Sequence, residues 1–309
     1  MLPHTTRAPL KLKIWQQNAR KSLQNTDYIL NQANPKDFDL LLIQEPWFDR
    51  LGKLQGTPNW CVIYPPGIYY EHHKPICSTI LVNTNISTEA YTTLNIPSSD
   101  ITAIHLRGDF SCCTIFNIYN DCTNNNTIWS LNNYLTTHAH ILPPEPTDHM
   151  IWCGDFNCHH PLWEEEYNKH LFSSPNMINL LINLAIKYNM MTILPLGIQT
   201  YKTTTGNWIQ PDNVWHNEIP NNPITICDVE PRLHPPLANH LPILTVFNLQ
   251  VSQPNTPPPT LDYFLVDFKS INDKLVKWIA TKCPVEPPGE TSETKCLKSW
   301  GQRQRQGLR

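Results

Sequence analysis

Short apolar runs recur along this chain, and several of them stop at a carboxylate, an amide or an imidazole. Lys11 to Trp15 leads into Gln16-Gln17-Asn18, and Phe38 to Ile43 leads into Gln44-Glu45. Cys112 to Ile118 leads into Tyr119-Asn120-Asp121, and Ile151 to Cys153 leads through Gly154 to Asp155-Phe156-Asn157. A later run carries Pro211-Asp212-Asn213, and Asn239-His240 stands in the loop before the last run. Short runs rich in β-branched and aromatic residues and bounded by turn residues read as strands. A chain built this way folds around sheets. If the strand ends share one edge, they form a single cleft that is acidic, amide-rich and bears an imidazole.

Between these runs the pattern changes period. Ser22 to Ala33 has helical spacing and is stopped by Asn34-Pro35. Trp60 to Tyr64, Ile76 to Val82, Ile101 to Leu106 and Cys112 to Tyr119 are separated by turn residues, which predicts an antiparallel meander. Thr127 to Ile141 reads as a helix stopped by prolines. Ser174-Pro175 opens another that runs to about Tyr188, with a capping residue followed by proline in the first turn. Asn207 to Trp215, Ile224 to Val229 and Pro242 to Leu249 read as late strands. Mixed strands and helices of this kind predict an α+β sandwich of two packed sheets.

Composition limits the alternatives. The chain has 309 residues, enough for one large two-layer domain or two small ones. Charged residues make up 16%, below the roughly 25% usual in globular chains, so the polar surface leans on Asn, Thr, Gln and His. The net charge of −3 does not point to nucleic acid by itself, so local sites must identify the partner. Ten cysteines include no CxxC pair, which reads as reduced core thiols inside a cell. No apolar run approaches the roughly 18 residues of a membrane-spanning helix, and the start carries no signal-peptide pattern. Pro254 to Pro259 marks a composition break.

The ordered set Asn18, Gln44-Glu45, Tyr119, Gly154-Asp155-Phe156-Asn157, Asp212 and His240 resembles the endonuclease/exonuclease/phosphatase superfamily. The resemblance covers about Lys11 to Leu249. It implies a four-layer α/β/β/α sandwich of the DNase I type. It also implies hydrolysis of phosphoesters with a divalent metal, Mg²⁺ or, alternatively, Mn²⁺. Gly154 to Trp163 (GDFNCHHPLW) and Gly206 to Trp215 (GNWIQPDNVW) are similar to the endonuclease domains of fungal non-LTR retrotransposons, which implies DNA as partner. On this reading residues 1–10 are a flexible arm and 11–249 the endonuclease domain. Residues 250–260 are a proline-rich linker, 261–282 a helical segment and 283–309 a disordered tail. The linker and helix resemble the tether to a reverse transcriptase. None follows in this sequence, which suggests a fragment or truncated copy located in nucleus or cytoplasm.

The resemblance also assigns roles. Glu45, Asn18 and Asn239 would hold the metal. Asp155 would orient or deprotonate the attacking water, and Asn157 would position it. Tyr119 would donate to the phosphate, and His240 would contact it as a cation oriented by Asp212. Simpler readings stand beside these: a surface glutamate, a capping amide at Asn18, a half-buried strand tyrosine. Cys158-His159-His160 also permits zinc, but no second ligand pair at zinc spacing exists, so these histidines are read as bordering the cleft or touching DNA backbone. One position departs from the pattern. The family has Asp-His before its last strand, whereas this chain has Asn239-His240. An amide keeps the shape and loses the charge, which leaves a second reading: a degenerate nucleic-acid-binding remnant.

Overall fold

The computed structural model describes residues 11–66, 75–107, 111–138, 148–218, 223–236 and 238–248. All lie in the first of two compact units, Met1–Asn255. The flexible arm, linker, helical segment and tail read from sequence fall outside the described residues.

In chain order the elements are β1 (Leu12–Asn18), α1 (Leu23–Gln32), β2 (Leu40–Gln44), β3 (Trp60–Ile63), β4 (Ser78–Asn83), β5 (Tyr91–Thr93) and β6 (Ile101–Arg107). There follow β7 (Cys112–Tyr119), α2 (Asn126–Thr137), β8 (His149–Asp155), α3 (Pro175–Lys187) and β9 (Met190–Thr192). The last are β10 (Tyr201–Lys202), β11 (Trp208–Ile209), β12 (Asp212–Asn217), β13 (Ile224–Val229) and β14 (Ile243–Phe247). One six-stranded sheet has the order β13-β14-β1-β2-β4-β3; the other has β5-β6-β7-β8-β12-β9, and β10 and β11 form a separate hairpin. Each large sheet contains one parallel pair, β1–β2 and β7–β8. A helix crosses over in each case, α1 and α2, because parallel neighbours cannot be joined by a tight turn.

Alternate side chains sort into layers. Leu12, Ile14, Leu40, Leu42, Ile115, Ile151 and Val214 pack between the sheets. Trp15, Leu41 and Ile43 turn outward onto Ile29 and Leu30 of α1. Phe116, Trp152 and Trp215 turn outward onto Leu131 of α2 and Leu181 of α3. The result is the sandwich of two packed sheets read from the strands and helices, in the four-layer α/β/β/α form that the family resemblance implied. Ser22 caps α1, its Oγ accepting from Asn25 N at 3.2 Å. Ser174 makes no such side-chain bond, so α3 starts on the preset backbone of Pro175 alone.

Two expectations from sequence are corrected. The meander is split, because β4 has β2 on one side and β3 on the other, leaving no edge for the strands that follow. The chain therefore changes sheets before β5. The late strand expected over Asn207–Trp215 is broken at Gln210-Pro211. Proline has no N–H to give to a ladder, so β11 pairs with β10 while β12 pairs with β8 and β9.

Gly154 is required by packing. A Cβ there would lie 1.9 Å from the Ile118 carbonyl oxygen on β7, and its φ is +155°. At the far end of β8, His149 Nδ1 lies 3.3 Å from His216 Nε2, and both rings pack edge-on against Phe247. Burial lowers the pKa of both, and the neighbouring His149 lowers His216 further, to about 4.

Two outcomes follow from this packing. Gly154→Ala forces backbone apart and lowers Tm by roughly 10 °C, equivalent to about 3 kcal/mol. Gly56→Ala, where nothing lies within 4 Å of the added Cβ, leaves Tm in place; equal Tm values for the two variants would refute the steric account. The second outcome concerns acid. A histidine whose pKa is depressed in the folded state contributes stability above its unfolded value, near 6.5. That contribution is lost as pH falls from there towards 4. Urea midpoints should fall between pH 7 and 5 by the equivalent of about 2 kcal/mol, and by clearly less in His216→Gln.

Candidate active site

The strand registers put the polar ends in line. Asn18 is paired with Gln44 across β1–β2. Tyr119 is paired with Asp155 across β7–β8, and Asp155 with Asp212 across β8–β12. The cleft at this edge is lined by Asn18, Arg20, Glu45, Tyr119, Asp155, Asn157, His159, Tyr201, Ile209, Pro211 and His240. Its volume is about 180 Å³, below the roughly 300 Å³ at which small-molecule pockets begin. It suits one group on an extended ligand better than an enclosed metabolite.

Asp155 is at the centre and is 1% exposed. Its Oδ2 accepts from Asn18 Nδ2 at 2.8 Å, a bond from one sheet to the other, and its Oδ1 accepts from Asn157 N at 3.0 Å. Asn157 in turn donates through Nδ2 to the Asn120 carbonyl at 2.8 Å. Asn120, fully buried, donates its own amide to the Phe156 carbonyl at 2.9 Å. The Asp-Phe-Asn segment is thus clamped from both sides. Burial and the Asp212 charge raise the Asp155 pKa against the opposing pull of His240 and its hydrogen bonds.

His240 is buried, with Nδ1 2.9 Å from Asp212 Oδ2 and Nε2 3.9 Å from Asp155 Oδ2. Burial disfavours its charged form, but Asp212 and then Asp155 outweigh that and hold its pKa above the ordinary value. Tyr201 packs against the imidazole with ring centres 4.5 Å apart. On the opposite wall Glu45 pairs with Lys21 Nζ at 3.1 Å. Burial, then the charges of Glu45 and Asp155, push the Tyr119 phenol well above its usual range. Arg20, Lys21, Glu45 and Asn157 all have φ between 45° and 53°. Non-glycine residues held in this region cost of order 1 kcal/mol or more each and cluster at functional sites.

The donor set fits a hard divalent cation. The cleft offers carboxylate and amide oxygens, and no cysteine lines it. Among the described residues, ligand atoms of Asp155, Asp212 and His240 lie within 4.8 Å of one another. Burial first and then the Asp212 charge raise the Asp155 pKa, and a cation in the cleft would offset both.

The cleft brings together Asn18, Glu45, Tyr119, Asp155, Asn157 and His240, with Asp212 directly behind His240. Asn239, expected as a metal ligand, is not on the wall. Its Nδ2 donates to the Lys202 carbonyl at 3.1 Å, because that open backbone acceptor draws the amide away. His159 lines the cleft, whereas His160 turns aside, its Nδ1 accepting from Leu162 N and its ring lying against Trp163. Arg20 and Tyr201 were not marked by the sequence, since neither ends an apolar run.

Residues 113–243 match the family model described as endonuclease–reverse transcriptase. No curated protein matches the chain. Among solved structures, the endonuclease domain of TRAS1, a telomere-specific non-LTR retrotransposon, aligns with a TM-score of 0.60 at 15% identity, covering 77% of this chain and 99% of that one. The AP endonuclease LMAP from Leishmania major gives 0.58 at 13% identity, covering 77% of this chain and 88% of that one. The Xenopus laevis APE2 catalytic domain gives 0.57 at 13% identity, covering 80% of this chain and 95% of that one. Residues 113–243 thus match an endonuclease–reverse transcriptase family, and the chain shares the fold of these endonucleases.

Proposed function

We propose that residues 11–249 form a metal-dependent phosphodiesterase that nicks DNA, as the endonuclease of a non-LTR retrotransposon. The observation that carries the reading is the buried His240–Asp212 pair facing Asp155 across one cleft. The likeness to the TRAS1 endonuclease domain supports DNA as substrate.

In this mechanism Asp212 fixes the His240 tautomer, so that Nε2 meets a non-bridging oxygen of the scissile phosphate as a charged donor. Asp155, restrained by Asn18 and Asn157, orients a water and takes its proton as the oxygen attacks phosphorus. The raised pKa makes its carboxylate a better base than an ordinary aspartate. Tyr119 donates to a second phosphate oxygen. The P–O3′ bond breaks, and the leaving oxygen takes a proton from solvent water to give a free 3′-hydroxyl and a 5′-phosphate. A divalent ion, Mg²⁺ or Mn²⁺, held by Glu45 with Asn18, would supply charge neutralisation at the phosphate. The segment beyond residue 249 would then be the tether to a reverse transcriptase.

The test is conversion of supercoiled plasmid to open circles with Mg²⁺. Wild type nicks, EDTA abolishes nicking, and Glu45→Ala slows it by at least about 10- to 100-fold. Nicking by Glu45→Ala at the wild-type rate would overturn the assignment. The position of Asn239, bonded to Lys202 instead of lining the cleft, favours one second reading, a remnant that binds nucleic acid without cutting it. Asn239→Asp separates the two. A large gain from an inactive parent establishes the remnant, whereas an active parent with little gain establishes the nuclease.

A further inference from the structure

The cleft has a second histidine–carboxylate pair that the proposed mechanism does not use. Side chains alternate after β8: Asp155, Asn157 and His159 line the cleft, while Phe156 and Cys158 are buried in the outer core with Trp163. His159 is thus presented on the same wall as Asp155 by the segment that leaves β8, which turns through Asn157 in left-handed backbone. Its backbone is pinned twice to Ser173, with His159 N donating to Ser173 Oγ and Ser173 N to His159 O, both at 2.9 Å. Its Nδ1 lies 3.4 Å from Glu164 Oε1, and no hydrogen bond from Nε2 is made among the described residues.

Glu164 is 3% exposed, an unusual place for a carboxylate. It accepts from Asn168 Nδ2 at 2.7 Å and from the Gln210 backbone N–H. Burial raises its pKa, but the bonds from His159, Gln210 and Asn168 outweigh this and hold it below the ordinary range. It is therefore a buried anion, and buried anions are paired. Gln210 immediately precedes the segment that carries Pro211 and Asp212. Glu164 so joins the wall bearing His159 to the wall bearing Asp212.

We propose that His159 is a second phosphate-contact residue, gripping the backbone phosphate next to the scissile one, and that Glu164 is its positioning residue. The arrangement repeats the His240–Asp212 pair: a carboxylate holds one ring nitrogen and turns the other to an anion. The inference rests on the phosphodiesterase reading and narrows it. The preferred substrate carries at least two linked phosphates, so a polynucleotide is favoured over a single diester.

The test compares a duplex oligonucleotide with bis(p-nitrophenyl) phosphate, which has one diester, using wild type, His159→Gln and Glu164→Gln at pH 6. His159→Gln lowers kcat/KM on the duplex by about tenfold through KM, and the selectivity ratio of duplex to small diester falls with it. The slope of log KM against log salt for the duplex drops by about 0.9, the loss of one phosphate contact. Glu164→Gln moves ratio and slope the same way by less. Because losing a buried, bonded carboxylate also strains the fold, His159→Gln is the deciding variant, with its folding checked by circular dichroism. An unchanged ratio and slope, or a fall in kcat alone, would overturn the proposal while the nuclease reading stands. Should wild type cleave neither substrate, the nuclease reading fails, and duplex binding by anisotropy decides. A weaker Kd and shallower salt slope in His159→Gln keep the contact; equal binding, or none by wild type, rejects it.

Discussion

The hydrogen bond from Asn18 to Asp155 joins two strands that belong to different sheets, and the cleft depends on it. Between the sheets the core is aliphatic, and dispersion and burial hold it without direction. Towards the cleft the aliphatic layer gives way to amides and hydroxyls, which must be matched bond by bond. Asn117 on β7 sits there as a hub. Its Nδ2 donates to the Ile43 carbonyl at 3.0 Å and the Thr79 carbonyl at 2.8 Å, both in the opposite sheet. Gln44 Nε2 donates to its Oδ1, and Ser78 Oγ donates to its backbone carbonyl at 2.8 Å. Hydrogen bonds are directional in a way that apolar contacts are not. They fix how far apart the sheets stand where the cleft opens, and so the spacing of Asn18 and Glu45 from Asp155 and His240.

A buried strand that ends in Asp, Asn or Glu is visible in a sequence as a pattern, because the apolar run and the polar stop are contiguous. Asn18, Glu45, Tyr119 and Asp155 stand out for that reason, whereas Asp212 opens β12 and is marked by its place in the resembled family's order, as is the four-layer fold. Pairing across sheets leaves no local trace. Nothing in Ser78-Thr79 or Asn117 announces that they meet, and nothing near Tyr201 announces that it packs on His240. Glu164 opens a run of three glutamates that the sequence does not tell apart, and of residues 164–166 only it is buried. The meander failed for a related reason, since strand spacing along the chain does not say which sheet a strand joins.

The charge balance of the cleft is shared between its walls. On one side Asp155 and Asp212 are buried within reach of a single imidazole. On the other, Glu45 is exposed enough to meet Lys21, and both residues sit in left-handed backbone. That strain is sustained by backbone bonds: Lys21 N donates to the Glu45 carbonyl at 2.6 Å and Glu45 N to the Cys77 carbonyl at 2.9 Å. The turn that follows Asn18 and the turn that follows β2 therefore hold each other. Lys21 lies where it pairs with Glu45 without entering the cleft wall, so the carboxylate stays presented to the cleft.

Asn239 is best understood against this background. It exchanges two hydrogen bonds with Lys202, donating through its side chain to the Lys202 carbonyl and accepting from Lys202 N at 2.9 Å on its own carbonyl. Next to it, Tyr201 and His240 form an antiparallel bridge. The amide thus fastens the β10–β11 hairpin beside the His240 imidazole. An aspartate at this position could not donate to the Lys202 carbonyl and would set a carboxylate against it, an uncompensated repulsion. Where the family pattern has a charge, this chain has a donor. The missing charge and the added donor act on the same histidine, one through electrostatics and the other through position.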